Sequence, residues 1–285
     1  MMIIAISGYN GFIGKQLTSH FQKNGHVVKD IPRISADTPV SVVENAINGV
    51  DVIINLAGAP IVGRWTETYK KTLFDSRIVT TRKIVEAINQ LEIKPKALLS
   101  ASAVGIYVAE GEQIEISTAF SDDYLGEICK GWEFEAQKAN NLTRVAILRF
   151  GIVLGKNGGA LSRMIPLFKS GLGGKIGSGK QGFSWIHIAD LIGAVQYIIT
   201  DQKASGEFNI TAPGVVDNSK FTDVLAGLLR RPALFPVPVF ALKILFGEGS
   251  IAVSGGQFAP PRHLIDEGFR FVFPDLESAL RDILD

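Results

Sequence analysis

The chain has 285 residues, room for one large domain or two modest ones, with roughly 75% of the unfolded surface buried on folding. Hydrophobic residues make up 46% and charged residues 20%, and 29 Lys+Arg oppose 28 Asp+Glu. That balance creates no field to recruit nucleic acid or an anionic membrane, so a small molecule is the expected partner. The single cysteine, Cys129, excludes an internal disulfide and fits a reducing compartment.

In chain order, the opening MMIIAISGYNGFIG is apolar but meets glycines within about half the length of a membrane helix. It carries no basic leader and no small-residue cleavage site, so it is read as the buried first strand of a cytoplasmic protein. Short apolar runs at 2–7, 26–30, 50–55, 97–101 and 144–150 are expected as strands buried on both faces, which suits a parallel sheet. Between the first two lies a helical stretch over 11–24, where Ile13, Leu17 and Phe21 recur every fourth residue and Gly25 offers a stop. Repeated strand–helix alternation predicts an α/β fold with a doubly wound parallel sheet of the NAD(P)-binding Rossmann type.

The dinucleotide-binding domain is expected over residues 1–155, followed by a mixed part over 156–285. That second part completes some of the sheet and forms a smaller substrate-side domain. It opens on GLGGKIGSGKQG at 171–182, six glycines in twelve positions, which reads as a functional loop. Then come a strand at 206–210, a helix over 218–229, a proline-rich crossing at 232–238 and an FRFVF alternation at 269–273.

Three glycines, Gly8-x-x-Gly11-x-x-Gly14, follow the first strand and open the first helix. In that context the first glycine permits a tight turn, the second lets backbone amides approach a pyrophosphate, and the third lets helix and strand pack closely. Cofactor choice is set past the second strand. Asp30 lies inside the strand, whereas Arg33 begins the next loop with a fork suited to a 2′-phosphate, so NADP(H) is expected over NAD(H). Asn55-Leu56-Ala57-Gly58-Ala59, after the third strand, leaves room for the adenosine half.

GFIG at 11–14, NLAGAPI at 55–61 and SASAVGIY at 100–107 together resemble the extended short-chain dehydrogenase/reductase superfamily. The resemblance narrows through Arg64-Trp65-Thr66, Ser76-Arg77, Trp132-Glu133, the run from Leu148 to Gly155, Gly158-Gly159-Ala160, the run from Phe183 to His187 and the segment 261–280. These blocks are similar to the atypical "epimerase family protein" group of NAD-dependent epimerase/dehydratase-like proteins with a C-terminal domain of unknown function. The resemblance implies cofactor contacts from Gly8, Asn10, Gly11, Phe12 and Ile13 at the pyrophosphate, and from Arg33 at the 2′-phosphate. It places Leu56, Ala57 and Gly58 beside the adenosine half, Arg77 on the cofactor side and Val153 near the nicotinamide.

Typical members of that superfamily pair a tyrosine with a lysine four residues on, so that the phenol trades a proton with the substrate. Four residues after Tyr9, Tyr69, Tyr107, Tyr124 and Tyr197 stand Ile13, Leu73, Gly111, Ile128 and Asp201, so the pair is absent. Ser102 and Tyr107 are the candidate catalytic groups in its place, each with an alternative role as a turn cap or a packed aromatic. Cys129 beside Lys130 reads as a small core residue. Lys180, Gln181 and Trp185 are candidate substrate contacts on the glycine-rich loop. Gly174-x4-Gly179-Lys180 falls short of a phosphate loop because Gln181 replaces the Ser/Thr. Four scattered histidines and one cysteine offer no metal cage. His187 reads as a satisfied histidine at a helix start. Two functions remain: an NADP-dependent enzyme acting on a small polar substrate such as a sugar nucleotide or carbonyl compound, or a non-catalytic protein that senses NADPH.

Overall fold

The computed structural model describes residues 1–156 and 158–285. The chain runs through β1 (Ile3–Ser7), α1 (Phe12–Lys23), β2 (Val27–Ile31), α2 (Val40–Ile47), β3 (Val52–Asn55), α3 (Glu67–Phe74), a π-helical turn (Asp75–Val79), α4 (Thr80–Gln90), β4 (Ala97–Ala103), α5 (Tyr124–Gln137) and β5 (Arg144–Phe150). It continues through β6 (Ile152–Gly155), β7 (Gly158–Gly159), α6 (Leu161–Lys169), β8 (Gly182–Phe183), β9 (Trp185–His187), α7 (Ile188–Thr200), β10 (Gly206–Ile210) and β11 (Val216–Asp217). The last helices are α8 (Asn218–Leu229), α9 (Val239–Phe246), α10 (Ile251–Ser254), α11 (Arg262–Asp266) and α12 (Leu276–Leu284).

Six parallel strands form the central sheet in the order β2-β1-β3-β4-β5-β10. Successive side chains leave a strand on opposite faces, so a run that is apolar throughout must be covered twice. In β1, Ile4 and Ile6 face Leu17 and Phe21 of α1 and Leu191, Val195 and Ile198 of α7. Ala5 faces the other way, toward Val43 and Ile47 of α2 and Ile84 and Ile88 of α4. Burying a side chain such as Leu17 or Phe21 contributes about 2 kcal/mol, so the two layers stabilise the sheet jointly. The strand order reverses between β1 and β3, and crevices at such a switch point, at the carboxyl ends of the strands, are where α/β sheets bind ligands.

A third core, built around Phe183, Trp185, Phe221, Leu225 and Leu280, belongs to the C-terminal part. Two segments of this part take their shape from contacts made only in the fold. The 269–273 alternation does describe burial, since Phe269, Phe271 and Phe273 are half-buried while Arg270 and Val272 are exposed. Yet no strand forms: the amides of Val272 and Phe273 donate to the two carboxylate oxygens of Asp190 at 2.7 and 2.9 Å, and that buried carboxylate replaces a neighbouring strand as acceptor. The glycine-rich 171–182 segment, expected as a functional loop, is pinned to the proline-rich crossing. Val237 N–H donates to Lys175 O and Gly177 N–H to Val237 O, and a Cβ on Gly174 would stand 2.0 Å from Phe235 O. Its glycines permit chain crossing. Among the described residues no helix is long and apolar enough to cross a membrane.

His187 caps α7 by accepting from Ala189 N–H at Nδ1, 3.1 Å away, while Nε2 lies 3.3 Å from Asp282. Burial lowers its pKa below the ordinary imidazole value, outweighing Asp282 and Asp190, which raise it. A base whose folded pKa is depressed binds its proton more readily when unfolded, so its stabilisation is present above the unfolded value of about 6.5 and is lost as pH falls from there through the lower folded value. Urea unfolding at pH 7 and pH 5 should therefore show a loss in wild type that is smaller in His187→Asn, which retains a capping oxygen. Equal losses in the two proteins would remove His187 from the account.

Candidate functional site

The site begins at the turn from β1 into α1. Gly8 has φ +71°, and a Cβ there would approach Leu56 O to 2.9 Å; one on Gly14 would stand 2.4 Å from Gly8 O. Gly11 N–H closes the turn onto Gly8 O at 2.9 Å. Gly11 is also the residue that caps α1, and it has no side chain to offer; the first turn carries no acidic residue either. The amides of Phe12 and Ile13 are therefore left to a ligand, and the helix end favours an anion. Asn10 is exposed beside them.

Ser7, not singled out from sequence, and Asn55, the first residue of the run expected beside the adenosine half, fix the opposite wall. Ser7 Oγ donates to Asn55 Oδ1 at 2.6 Å and accepts from Leu56 and Ala57 N–H at 3.1 and 3.2 Å, while Asn55 Nδ2 donates to Thr81 Oγ1 at 2.7 Å. This holds Leu56, Ala57 and Gly58 alongside the glycine turn. β2 ends at Ile31, so Asp30 lies within the strand, in register with Ile6. Arg33 is exposed just beyond it. Val153 sits half-buried on β6 beside Ile186, and the Phe12 ring lies where a Cβ on Gly158 would be 2.1 Å away.

Arg77 lies in the π-helical turn, with Nη2 donating to Ala59 O at 2.9 Å and Nη1 to Leu73 O at 3.3 Å. Its guanidinium stands 5.3 Å from the Trp132 ring and would be 3.1 Å from a Cβ on Gly58. Burial lowers its pKa from the usual guanidinium value.

At the ends of β4 and β5, Ser102, Arg149 and Asn209 are register neighbours on three strands. Glu133 of α5 receives Arg149 through two hydrogen bonds of 2.9 and 2.8 Å and Ser102 Oγ at 2.6 Å. Arg149 Nη1 also donates to the Tyr107 hydroxyl at 2.7 Å, which donates onward to Asn209 Oδ1 at 2.9 Å. Burial works against the Arg149 charge, but Glu133 outweighs it and holds the guanidinium above its usual range. Tyr107 has no exposed surface, and burial pushes its phenol up to about 12. Both candidate catalytic hydroxyls are thus engaged in one buried network. Cys129 is buried with its thiol pushed up to about 12, first by burial and then by Glu133, which makes it inert at neutral pH.

The substrate candidates separate. Trp185 is fully buried and its indole donates to Gly214 O at 2.8 Å, leaving no surface for a ligand. Gln181 Nε2 donates to Ile176 O, and Lys180 is exposed. A cleft of about 530 Å³ opens elsewhere, lined by Trp65, Tyr124, Lys243, Glu248 and Ser250 among others. There the segment after α9 packs so tightly on the 63–65 loop that a Cβ on Gly249 would be 2.1 Å from Gly63 O, and Glu248 pairs with Lys70 at 2.6 Å. No sequence pattern pointed to this cleft, because its walls come from segments about 180 residues apart. Trp132, Glu133 and Arg149 carried the family resemblance without being given a role.

The family model described as "NAD dependent epimerase/dehydratase family" matches residues 4–211, and a second, "Domain of unknown function (DUF1731)", matches residues 237–283. The chain belongs to the NAD dependent epimerase/dehydratase family. Its relatives in this family include the epimerase family protein YfhF of Bacillus subtilis, 38% identical with 99% of this chain and 98% of that protein covered. The mouse epimerase family protein SDR39U1 is 36% identical, with 99% and 100% covered. The crystal structure of human SDR39U1 (isoform 2) with NADPH aligns at a TM-score of 0.92 and 33% identity over 99% of both chains. The DUF1731 match takes in α9 to α12, including the Glu248 wall of the cleft. The uncapped α1 terminus, the Gly14 close approach and the open wall at 56–58 fit a nicotinamide dinucleotide.

Removing Glu133 leaves Arg149 buried without its counter-charge, which costs about 3–5 kcal/mol. Glu133→Ala should lower the unfolding free energy in urea by that amount. A loss below about 1 kcal/mol would mean that Arg149 relaxes into solvent and that the pair does not organise this edge.

Proposed function

We propose that this family member binds NADP(H) in preference to NAD(H) across the carboxyl edge of the sheet and acts in the cytoplasm as an epimerase or oxidoreductase on a small polar substrate. The observation that carries the reading is the α1 N-terminus, which has no side-chain cap under the Gly8–Gly11–Gly14 turn, with Arg33 exposed beyond β2. The NADPH bound by human SDR39U1 supports it. A bound nicotinamide dinucleotide supplies a hydride carrier. The amides of Phe12 and Ile13 hold the pyrophosphate, Asn10 lines its approach, and Arg33 pairs with the 2′-phosphate through a charge-assisted fork. Leu56, Ala57 and Gly58 flank the adenosine, Arg77 reaches the cofactor from the third strand's side, and Val153 borders the nicotinamide. The substrate lies in the cleft between Trp65, Tyr124 and Glu248, with Lys180 and Gln181 left as peripheral contacts.

A second reading, an NADPH-sensing protein without turnover, is favoured by a specific observation. Ser102 donates to Glu133, Tyr107 to Asn209 and Tyr124 to Lys70 O, so none of these three hydroxyls has a proton free for a substrate.

Calorimetric titration with NADPH and NADH decides the cofactor. NADPH should bind at least about tenfold more tightly, and Arg33→Ala should abolish that preference, since a charge-assisted hydrogen bond contributes about 1.5–3 kcal/mol. Absence of binding by either nucleotide would end the dinucleotide reading. A preference that survives in Arg33→Ala would move the 2′-phosphate elsewhere. Oxidation of bound NADPH on adding a panel of sugar nucleotides and carbonyl compounds separates enzyme from sensor.

A further inference from the structure

The chain has three tryptophans, and two of their indoles are satisfied: Trp65 donates to Ile61 O at 2.9 Å and Trp185 to Gly214 O at 2.8 Å. Trp132 is 6% exposed, yet its Nε1–H has no acceptor among the described residues. A buried donor left unpaired is rare in folded proteins and calls for an explanation. The sheet topology supplies one. Trp132 packs with Ala101 of β4, Ile78 of the π-helical turn, Leu56 after β3 and Phe150 at the end of β5, so it stands among the carboxyl ends of the strands on the far side of the β1/β3 switch point from β2.

Its neighbour Arg77 shows a second deficit. The guanidinium has five N–H donors, and its only protein acceptors among the described residues are the carbonyls of Ala59 and Leu73; no carboxylate pairs with it. A desolvated cation and an orphaned N–H thus lie together, 5.3 Å between guanidinium and ring. Arg33 marks the β2 side as the adenosine end, so a dinucleotide crossing the switch point brings its other nucleoside to β3, β4 and β5.

We infer that Trp132 Nε1–H, held in place by Arg77 stacked on its ring, is the donor that engages a ribose hydroxyl of the nicotinamide half. The inference rests on the NADP(H) reading above. It gives this chain a neutral donor at the nicotinamide end of the cofactor.

The test uses two probes: NADPH, and adenosine 2′,5′-bisphosphate, which has the phosphorylated adenosine but no nicotinamide ribose. Trp132→Phe keeps an aromatic ring beneath Arg77 and removes the N–H. It should weaken NADPH about fivefold, the loss of one net hydrogen bond, and leave the bisphosphate unchanged. In ¹⁵N-indole-labelled wild type, which needs no substitution, NADPH should shift the Trp132 indole resonance and the bisphosphate should not. Unchanged NADPH affinity in Trp132→Phe together with an unmoved Trp132 resonance overturns the inference while leaving the NADP(H) reading intact. Equal weakening of both probes also overturns it, because Trp132 would then act only through the fold. If wild type binds neither probe, the NADP(H) reading itself falls and takes this inference with it.

Discussion

Arg149 has to keep its charge at 3% exposure beneath the carboxyl edge of the sheet, and much of the local architecture follows from supplying its acceptors. Glu133 fixes the height of α5 against β4 and β5. Glu115 O, 3.1 Å from Arg149 Nη1, draws the 113–117 segment across the strand ends. The Glu115 carboxylate then accepts the amides of Asn209 and His263 at 3.0 and 3.2 Å, and Asn209 Nδ2 reaches Pro260 O at 3.0 Å. One guanidinium thereby ties the sheet to the C-terminal segment. A buried ion pair of this kind adds little net stability over an apolar replacement, but breaking one partner is costly. Its role is to specify which segments meet.

That specification uses up groups the family resemblance had marked for chemistry. Ser102 cannot both donate to Glu133 and polarise a carbonyl with the same proton, and a phenol as buried as Tyr107 holds its proton across the physiological range. What remains at the carboxyl edge for a ligand is mostly backbone and shape: the uncapped amides of α1, the loop at 56–58, and glycines whose absence of Cβ permits close approach. Such a surface is well suited to binding and orienting a dinucleotide. On the proposed reading, proton transfer falls to the ionisable groups of the cleft bounded by the C-terminal module, Asp123, Lys243 and Glu248.

Most of the sheet was legible because a strand covered on both faces has a continuous apolar run that little else in a soluble chain produces; the bounds of β5, β10 and α8 coincide with those expected. The sequence also showed the glycine turn, since three glycines at fixed spacing between strand and helix have few other uses. What it left open shares a physical cause. The 269–273 alternation reports which residues are buried and cannot report whether a strand or the Asp190 carboxylate receives the amides. In 171–182 the same glycines that permit motion also permit two backbones to cross in contact, and composition does not separate the two. Trp185 was read as a substrate contact because its burial depends on Phe183, Phe221 and Leu280, which come together only in the fold.

The π-helical turn at Asp75–Val79 was the least legible feature, and the Arg77 geometry depends on it. An α-helix advances about 100° per residue, so one residue more in a single turn rotates everything beyond it relative to what precedes it. Ser76 at the start of that turn accepts Ala59 N–H at 3.0 Å, and Arg77 lies over Gly58 instead of following the α3 face. π-helical turns tend to occur at functional sites, and here the consequence is specific. The turn directs a cation that has no carboxylate partner among the described residues toward the loop at 56–58, where a Cβ at position 58 would press on the guanidinium at 3.1 Å and make it shift. Gly58, Arg77 and Trp132 therefore form one unit: the glycine admits the guanidinium, the guanidinium covers the indole, and the indole keeps its N–H unspent at the edge of the sheet.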